Sequence, residues 1–270
     1  MIKFPVCVII YLTDYCNLNC KHCFLTQTDQ LNKNMLDTIK LKEILLELKS
    51  NNVFMVAFTG GDPMLHQDIF EILNYTRSLG MLPLLGVSGI NIKRNTASKI
   101  YYSGVRCVQI GLNGSNEIIN DYYRGNNSFK KVITSIRNLQ KFDINVNLSF
   151  CLDKKNMADL KNMLNLAMSL NIYKVKIEFW NCMSNLIKKN ELSTKDKSKV
   201  RKICDNFMKQ NHKEDWIQYP KASTKLVNIH SNALVIMADG DVKKNEMGET
   251  LGNIYSSNIM NILKGDRDEK

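Results

Sequence analysis

Val6-Cys-Val-Ile-Ile-Tyr-Leu-Thr-Asp14 runs without a break into Tyr15-Cys16-Asn-Leu-Asn-Cys20-Lys-His22-Cys23. Residues 6–12 are apolar and rich in β-branched side chains, which reads as a strand. The polar stretch that follows carries three thiols in eight positions and reads as the loop leaving that strand. Downstream the alternation repeats. Strand candidates at 53–59, 82–87, 108–112, 144–152 and 174–179 are separated by helix candidates at 38–50, 67–79, 93–103, 115–123, 128–142 and 158–170. In the helix from Thr38, Ile39, Ile44, Leu45 and Leu48 mark an apolar face that would pack on a sheet. Six strands joined by right-handed crossovers give either an open doubly wound sheet or part of a (βα) barrel, and in both the chemistry gathers at the carboxyl ends of the strands.

The chain has 270 residues, 44% of them hydrophobic and 23% charged, enough for one large domain or one domain with a small appendage. That composition excludes disordered, collagen-like and low-complexity classes. No apolar run approaches the ~18–20 residues of a membrane span. No small-residue cleavage site follows the apolar stretch after Lys3, so the chain reads as cytoplasmic. Its formal charge is +11, with 16 Lys and Arg against 8 Asp and Glu between Cys151 and Lys225. Single lysines on amphipathic segments explain most of this excess; a docking surface for an acidic partner is the alternative, and no nucleic-acid or membrane partner is expected.

The eight cysteines are Cys7, Cys16, Cys20, Cys23, Cys107, Cys151, Cys182 and Cys204. A disulfide framework belongs to small secreted domains, so clustered thiols in a chain of this size point to metal. Soft thiolates select zinc or iron–sulfur clusters. A closed zinc site needs four ligands, and His22, adjacent to Cys23, would strain a tetrahedral arrangement. Three cysteines on a four-iron cubane leave one iron open to a chelating small molecule.

Cys16-x-x-x-Cys20-x-x-Cys23 after the first strand, with Thr59-Gly60-Gly61-Asp62-Pro63 after the second, resembles the radical SAM superfamily. The resemblance implies an α/β fold, a partial (βα)6 TIM-like barrel, and two cofactors, a [4Fe-4S] cluster on Cys16, Cys20 and Cys23 and S-adenosylmethionine. It places Gly60, Gly61, Asp62 and Pro63 at the methionine amino group, where glycines permit close backbone approach and Asp62 offers an acceptor. His22 falls where relatives pack an often aromatic residue at the adenine. Ser88, in Val87-Ser88-Gly89, falls near the ligand. Asn113, in Leu112-Asn113-Gly114, replaces the acid of the family's Leu-Asp-Gly. Arg124, in Asp121-Tyr-Tyr-Arg124-Gly125, resembles the Arg-Gly segment of the peptide- and cofactor-modifying branch and would contact the ligand carboxylate, its alternative being an exposed helix-end arginine.

After Phe179 the pattern changes, with an Asn-rich stretch, a charged helix candidate at 194–209, a strand at 233–237, a turn at Asp239-Gly240 and a return strand from Val242. We divide the chain into residues 1–182, the partial barrel, and 183–270, a small β-hairpin-containing extension. The segments at 233–242 and 251–254 resemble the SPASM or twitch extension. The cysteines expected there fall at Val227 and Asn245, which implies a degenerate extension without an auxiliary cluster. Cys182 and Cys204 read as isolated thiols, either being available in principle as a hydrogen-atom donor.

Together these features imply an enzyme that takes one electron from an external flavodoxin- or ferredoxin-type reductant, cleaves S-adenosylmethionine to a 5′-deoxyadenosyl radical and abstracts hydrogen from a peptide. Epimerisation, crosslinking or related C–H functionalisation of a ribosomally made precursor would follow. Radical chemistry on a small cofactor or tetrapyrrole precursor is the second reading, and a non-catalytic binding partner the third.

Overall fold

The computed structural model describes residues 4–23, 25, 34–180, 190–219, 234–246 and 248–268. Strands β1 (Cys7–Thr13), β2 (Met55–Gly60), β3 (Leu82–Val87), β4 (Cys107–Gly111), β5 (Asn145–Leu152) and β6 (Lys174–Phe179) are parallel and lie side by side in chain order. Between them run helices α1 (Thr38–Ser50), α2 (Ile69–Ser78), α3 (Arg94–Tyr102), the pair α4 (Glu117–Arg124) and α5 (Ser128–Gln140), and α6 (Leu160–Ser169). Right-handed crossovers between strands that never reverse order put every helix on one side of the sheet. This is the winding of a partial barrel, and it selects between the two architectures the sequence leaves open.

Side chains alternate across the strands. Val8, Ile10 and Leu12 of β1, Phe58 of β2, Phe150 of β5 and Ile177 of β6 join one core with the helices. In α1 the buried residues are Leu41, Ile44, Leu45 and Leu48. Ile39, expected on the buried face, is 72% exposed, because the buried stripe runs through Leu41, Ile44, Leu45 and Leu48, and a residue two positions before Leu41 points to the opposite side of the helix.

The remaining elements extend the sheet at both ends. Beyond β6, α7 (Thr194–Gln210) leads to the short parallel strand β7 (Ile217–Gln218). At the other edge β8 (Leu234–Ile236) pairs parallel with β1, followed by antiparallel β9 (Asp241–Lys243) and β10 (Thr250–Asn253). The β8–β9 hairpin takes one residue more than Asp239-Gly240: Met237 N–H bonds Asp241 O across Ala238, Asp239 and Gly240, the last at φ +91°. Helix α8 (Ile259–Asp268) closes the chain against α1, its first amides bonding the Glu47 carboxylate at 3.1 and 2.8 Å. The boundary placed near residue 183, Cys182 and Val227 lie outside the described residues. Among the described residues no helix is long and apolar enough to cross a membrane.

Candidate functional site

Thr13 ends β1 and turns the chain into the cysteine loop. Its buried hydroxyl donates to Asn34 O at 3.0 Å and accepts from Tyr15 N–H at 3.1 Å. The next carboxyl, Asp14, is pushed up to about 6 by burial, against hydrogen bonds from Asn34. A seam joins this turn to the end of β2, where Gly61 N–H donates to Thr13 O at 2.7 Å and Asp62 N–H to Tyr15 O at 2.8 Å. A Cβ on Gly60 would stand 2.3 Å from Thr13 O, and one on Gly61 2.2 Å from Tyr15 O. The two glycines are therefore required by the approach of the cysteine loop's own backbone, a cause the sequence reading assigned to a ligand. Lys21 N–H ties the far side of the loop to Tyr123 O of α4 at 3.0 Å.

Asp62 is buried and starts a single 3-10 turn at Pro63–Leu65. One carboxylate oxygen accepts from Met64 N–H at 3.1 Å and the other from the Ser88 hydroxyl. Burial raises the pKa of Asp62 against those bonds and the nearby Arg124 charge. Ser88 O in turn accepts from Arg124 Nη2 at 2.8 Å, so β2, β3 and α4 are joined through Asp62, Ser88 and Arg124. Arg124 is only 5% exposed, which removes the exposed helix-end alternative. Its guanidinium fills the space of a side chain at Gly111 of β4, where a Cβ would sit 2.0 Å from Nη1. Buried Nε has no hydrogen-bond partner, and among the described residues the guanidinium forms no ion pair.

His22 meets the Asn113 side-chain amide, with ring nitrogens 3.0 and 3.2 Å from Nδ2. Burial, helped by the Arg124 charge, pushes the ring down to about 4, so it is neutral at pH 7. A neutral ring offers one acceptor nitrogen. An amide can donate to it; an ionised aspartate cannot. Asn113 is held by its own N–H on Asn120 Oδ1 at 2.9 Å, and the Tyr123 ring lies 6.1 Å from His22.

Burial raises the Cys20 thiol and pushes that of Cys16 up to about 11, so metal ligation would release protons. Among the described residues no three His, Cys, Asp or Glu side chains converge as ligands of a single ion. Three soft donors on one short loop, beside a buried cation with an unspent donor, fit a thiolate-held cluster and a ligand bearing a carboxylate.

The strands bring in side chains that sequence reasoning passed over. Asn147, Ser149 and Cys151 of β5, and Lys176 and Glu178 of β6, lie on the face turned away from the helices. Cys23 packs with Ile9 against Tyr11, Val235 and Met237, which brings the tail hairpin against the cysteine loop. The signal was strict period-2 alternation, Asn145-Val-Asn-Leu-Ser-Phe-Cys-Leu152 and Lys174-Val-Lys-Ile-Glu178, with polar groups on strands that are otherwise core. Cys204 is fully buried in the core of α7, which removes it as a hydrogen-atom donor to anything bound on the inner face.

The radical SAM superfamily model matches residues 10–167, more than half of the chain, and the chain belongs to that superfamily. The superfamily's cofactors are a [4Fe-4S] cluster and S-adenosylmethionine. Among curated relatives, an Fe-coproporphyrin III synthase of Methanosarcina barkeri is 32% identical over 165 residues, covering 61% of this chain and 41% of the relative. Mycofactocin maturase MftC of Mycolicibacterium smegmatis is 30% identical over 164 residues, covering 60% and 42%. The chain thus spans about two-fifths of the length of these relatives. Among solved structures, Streptococcus suis SuiB bound to S-adenosylmethionine superposes with a TM-score of 0.79 at 16% identity, covering 97% of this chain and 66% of SuiB. The AdoMet-bound anSMEcpe gives 0.79 at 17% identity, covering 96% and 80%. These likenesses show the fold.

Proposed function

We propose that the chain is a radical SAM enzyme acting on a peptide, with Cys16, Cys20 and Cys23 as cluster ligands. The observation that carries this reading is the seam between the cysteine loop and Gly60–Asp62, which sets the three thiols beside the buried Asp62, while buried Arg124, which forms no ion pair among the described residues, lies within electrostatic reach of Cys20. Cys16, Cys20 and Cys23 would hold a [4Fe-4S] cluster, which when bound would supply one electron for reductive cleavage of S-adenosylmethionine. Arg124 binds the carboxylate of that ligand, and its unpartnered Nε is the donor kept for it. Asp62 and the carbonyls around Gly60 and Gly61 accept from its ammonium, with Ser88 fixing the Asp62 carboxyl. His22, Asn113 and Tyr123 form the side on which the adenine packs. The tail hairpin against Tyr11 and Cys23 excludes water from the inner face.

A peptide substrate is supported by the maturase relative and by the SuiB fold match, where SuiB was also solved with its precursor peptide SuiA. The Fe-coproporphyrin III synthase relative supports a second reading, a tetrapyrrole or other small cofactor precursor. The test of the catalytic reading is anaerobic reconstitution with iron and sulfide, addition of S-adenosylmethionine and dithionite, and detection of 5′-deoxyadenosine by mass spectrometry. About four irons per chain and product formation are expected, both lost when Cys16, Cys20 and Cys23 are replaced together by Ala. Retention of iron by that triple variant would falsify the ligand assignment.

A further inference from the structure

The polar side chains of β5 and β6 on the inner face have no part in the cofactor site. Ser149 and Lys176 are register partners, as are Cys151 and Glu178, so the four side chains form a patch on adjacent strands. Lys176 Nζ stands 2.6 Å from Glu178 Oε1, and Glu178 Oε2 accepts from Ser149 Oγ at 3.0 Å. The lysine and glutamate side chains are still 38% and 41% exposed. The patch adjoins the cofactor site, since Glu178 is within electrostatic reach of His22. On the tail side Glu246, beside the Tyr11 hydroxyl, also acts on Lys176.

An ammonium has three donors, and Lys176 spends one on Glu178. The carboxylate is anchored by Ser149, so it orients the ammonium, and the lysine side chain, 38% exposed, stays within reach of a ligand on the inner face. One cation between two acids does not welcome a third carboxylate, which would add like-charge repulsion on each side. A neutral carbonyl accepts the same hydrogen bonds without that repulsion. This local acid excess is set in a chain of net charge +11, so it is a property of the site and not of overall composition.

We propose that Lys176, held by Glu178 and Ser149, is a substrate subsite that binds a backbone carbonyl of a peptide and selects against polycarboxylates such as propionate-bearing tetrapyrroles. The inference rests on the peptide reading above and gives that reading a cause in this chain's own residues.

The experiment uses cluster-loaded protein with S-adenosylmethionine and no reductant. Two probes are compared: a random library of N-acetylated, C-amidated hexapeptides, with retained members sequenced by mass spectrometry, and Fe-coproporphyrin III, titrated by its visible absorbance. Retained peptides are expected to be depleted in Asp and Glu, and Lys176→Met to cut retention about tenfold. Fe-coproporphyrin III is expected to bind at least tenfold more weakly than retained peptides, and Glu178→Gln to tighten it severalfold. Thermal melts check folding, with Lys176→Gln as the second variant should Lys176→Met melt early. No library retention by the unaltered chain, retention indifferent to Lys176, or tetrapyrrole binding that is tight and lost with Lys176→Met overturns the proposal. Failure of the catalytic reading is separate, since it shows as absence of 5′-deoxyadenosine whatever the probes do.

Discussion

Gly61 carries two explanations, and the structure ranks them. A turn glycine beside an acid suggests close approach to a ligand, yet the nearest obstruction to a side chain there is Tyr15 O. Gly61→Ala is therefore expected to open the seam, costing roughly 1–3 kcal/mol as an overpacking change. It should lower the melting temperature and the iron retained on reconstitution together; an unchanged melt with full iron would show that the loop yields freely. Asn113 and Arg124 show a second lesson at this scale. Their types were visible in sequence, but whether the arginine was buried or exposed depended on Gly111, thirteen positions earlier and on a different element. Only packing places a guanidinium in the space that a β4 glycine leaves.

Strands and helices were legible because their hydrophobic periods are local. The candidates at 82–87 and 174–179 coincide with β3 and β6, and the 38–50 candidate with α1. Strand β7 has two residues, too few for any period to register. Helix α8 was missed because its start is capped from far away, by Glu47. Glu47→Ala removes a carboxylate that accepts from both Ile259 and Met260 N–H, and a loss of about 1 kcal/mol is expected from the lost cap. Amide exchange should rise first across α8 and β10; uniform exchange along the chain would contradict the docking argument. At the α4–α5 joint, Asp121 accepts from Phe129 N–H, Ser128 Oγ and Asn120 Nδ2. Burial works against ionisation there, but these bonds outweigh it and hold the pKa below the ordinary carboxylate value. A depressed folded-state value means the unfolded chain binds more protons. The stabilisation is thus complete above the unfolded value of about 3.9 and is lost as pH falls through the lower folded value. Asp121→Asn should flatten that acid limb in denaturation curves taken from pH 6 to pH 2, while an unchanged slope would place the acid sensitivity elsewhere.

At the scale of the molecule, one sheet joins residues from both ends of the chain, because β8 pairs with β1 and carries the tail hairpin to the cysteine loop. The core behind that sheet includes Cys204, whose thiol is pushed up to about 12 by burial and the neighbouring Asp205. In protein without metal, alkylation by iodoacetamide is expected to reach solvent-exposed Cys16 in the folded state, slowed by its raised thiol pKa, and Cys204 only through global unfolding. Mass-spectrometric labelling rates that track for both cysteines would mean that α7 opens on its own. The sequence by itself determined the βα repeat, the CxxxCxxC loop after β1, the Gly-Gly-Asp-Pro segment after β2 and hence the superfamily, because each is a pattern of neighbouring residues whose meaning is set by local geometry and donor chemistry. Tertiary structure alone decided that the winding is that of a barrel, that Arg124 is buried with an unspent donor, that Lys176 and Glu178 lie on the face turned away from the helices, and that the tail hairpin packs against the cysteine loop. Those facts depend on contacts between residues far apart in the chain, and such contacts form only when the whole sheet assembles and excludes water between its layers.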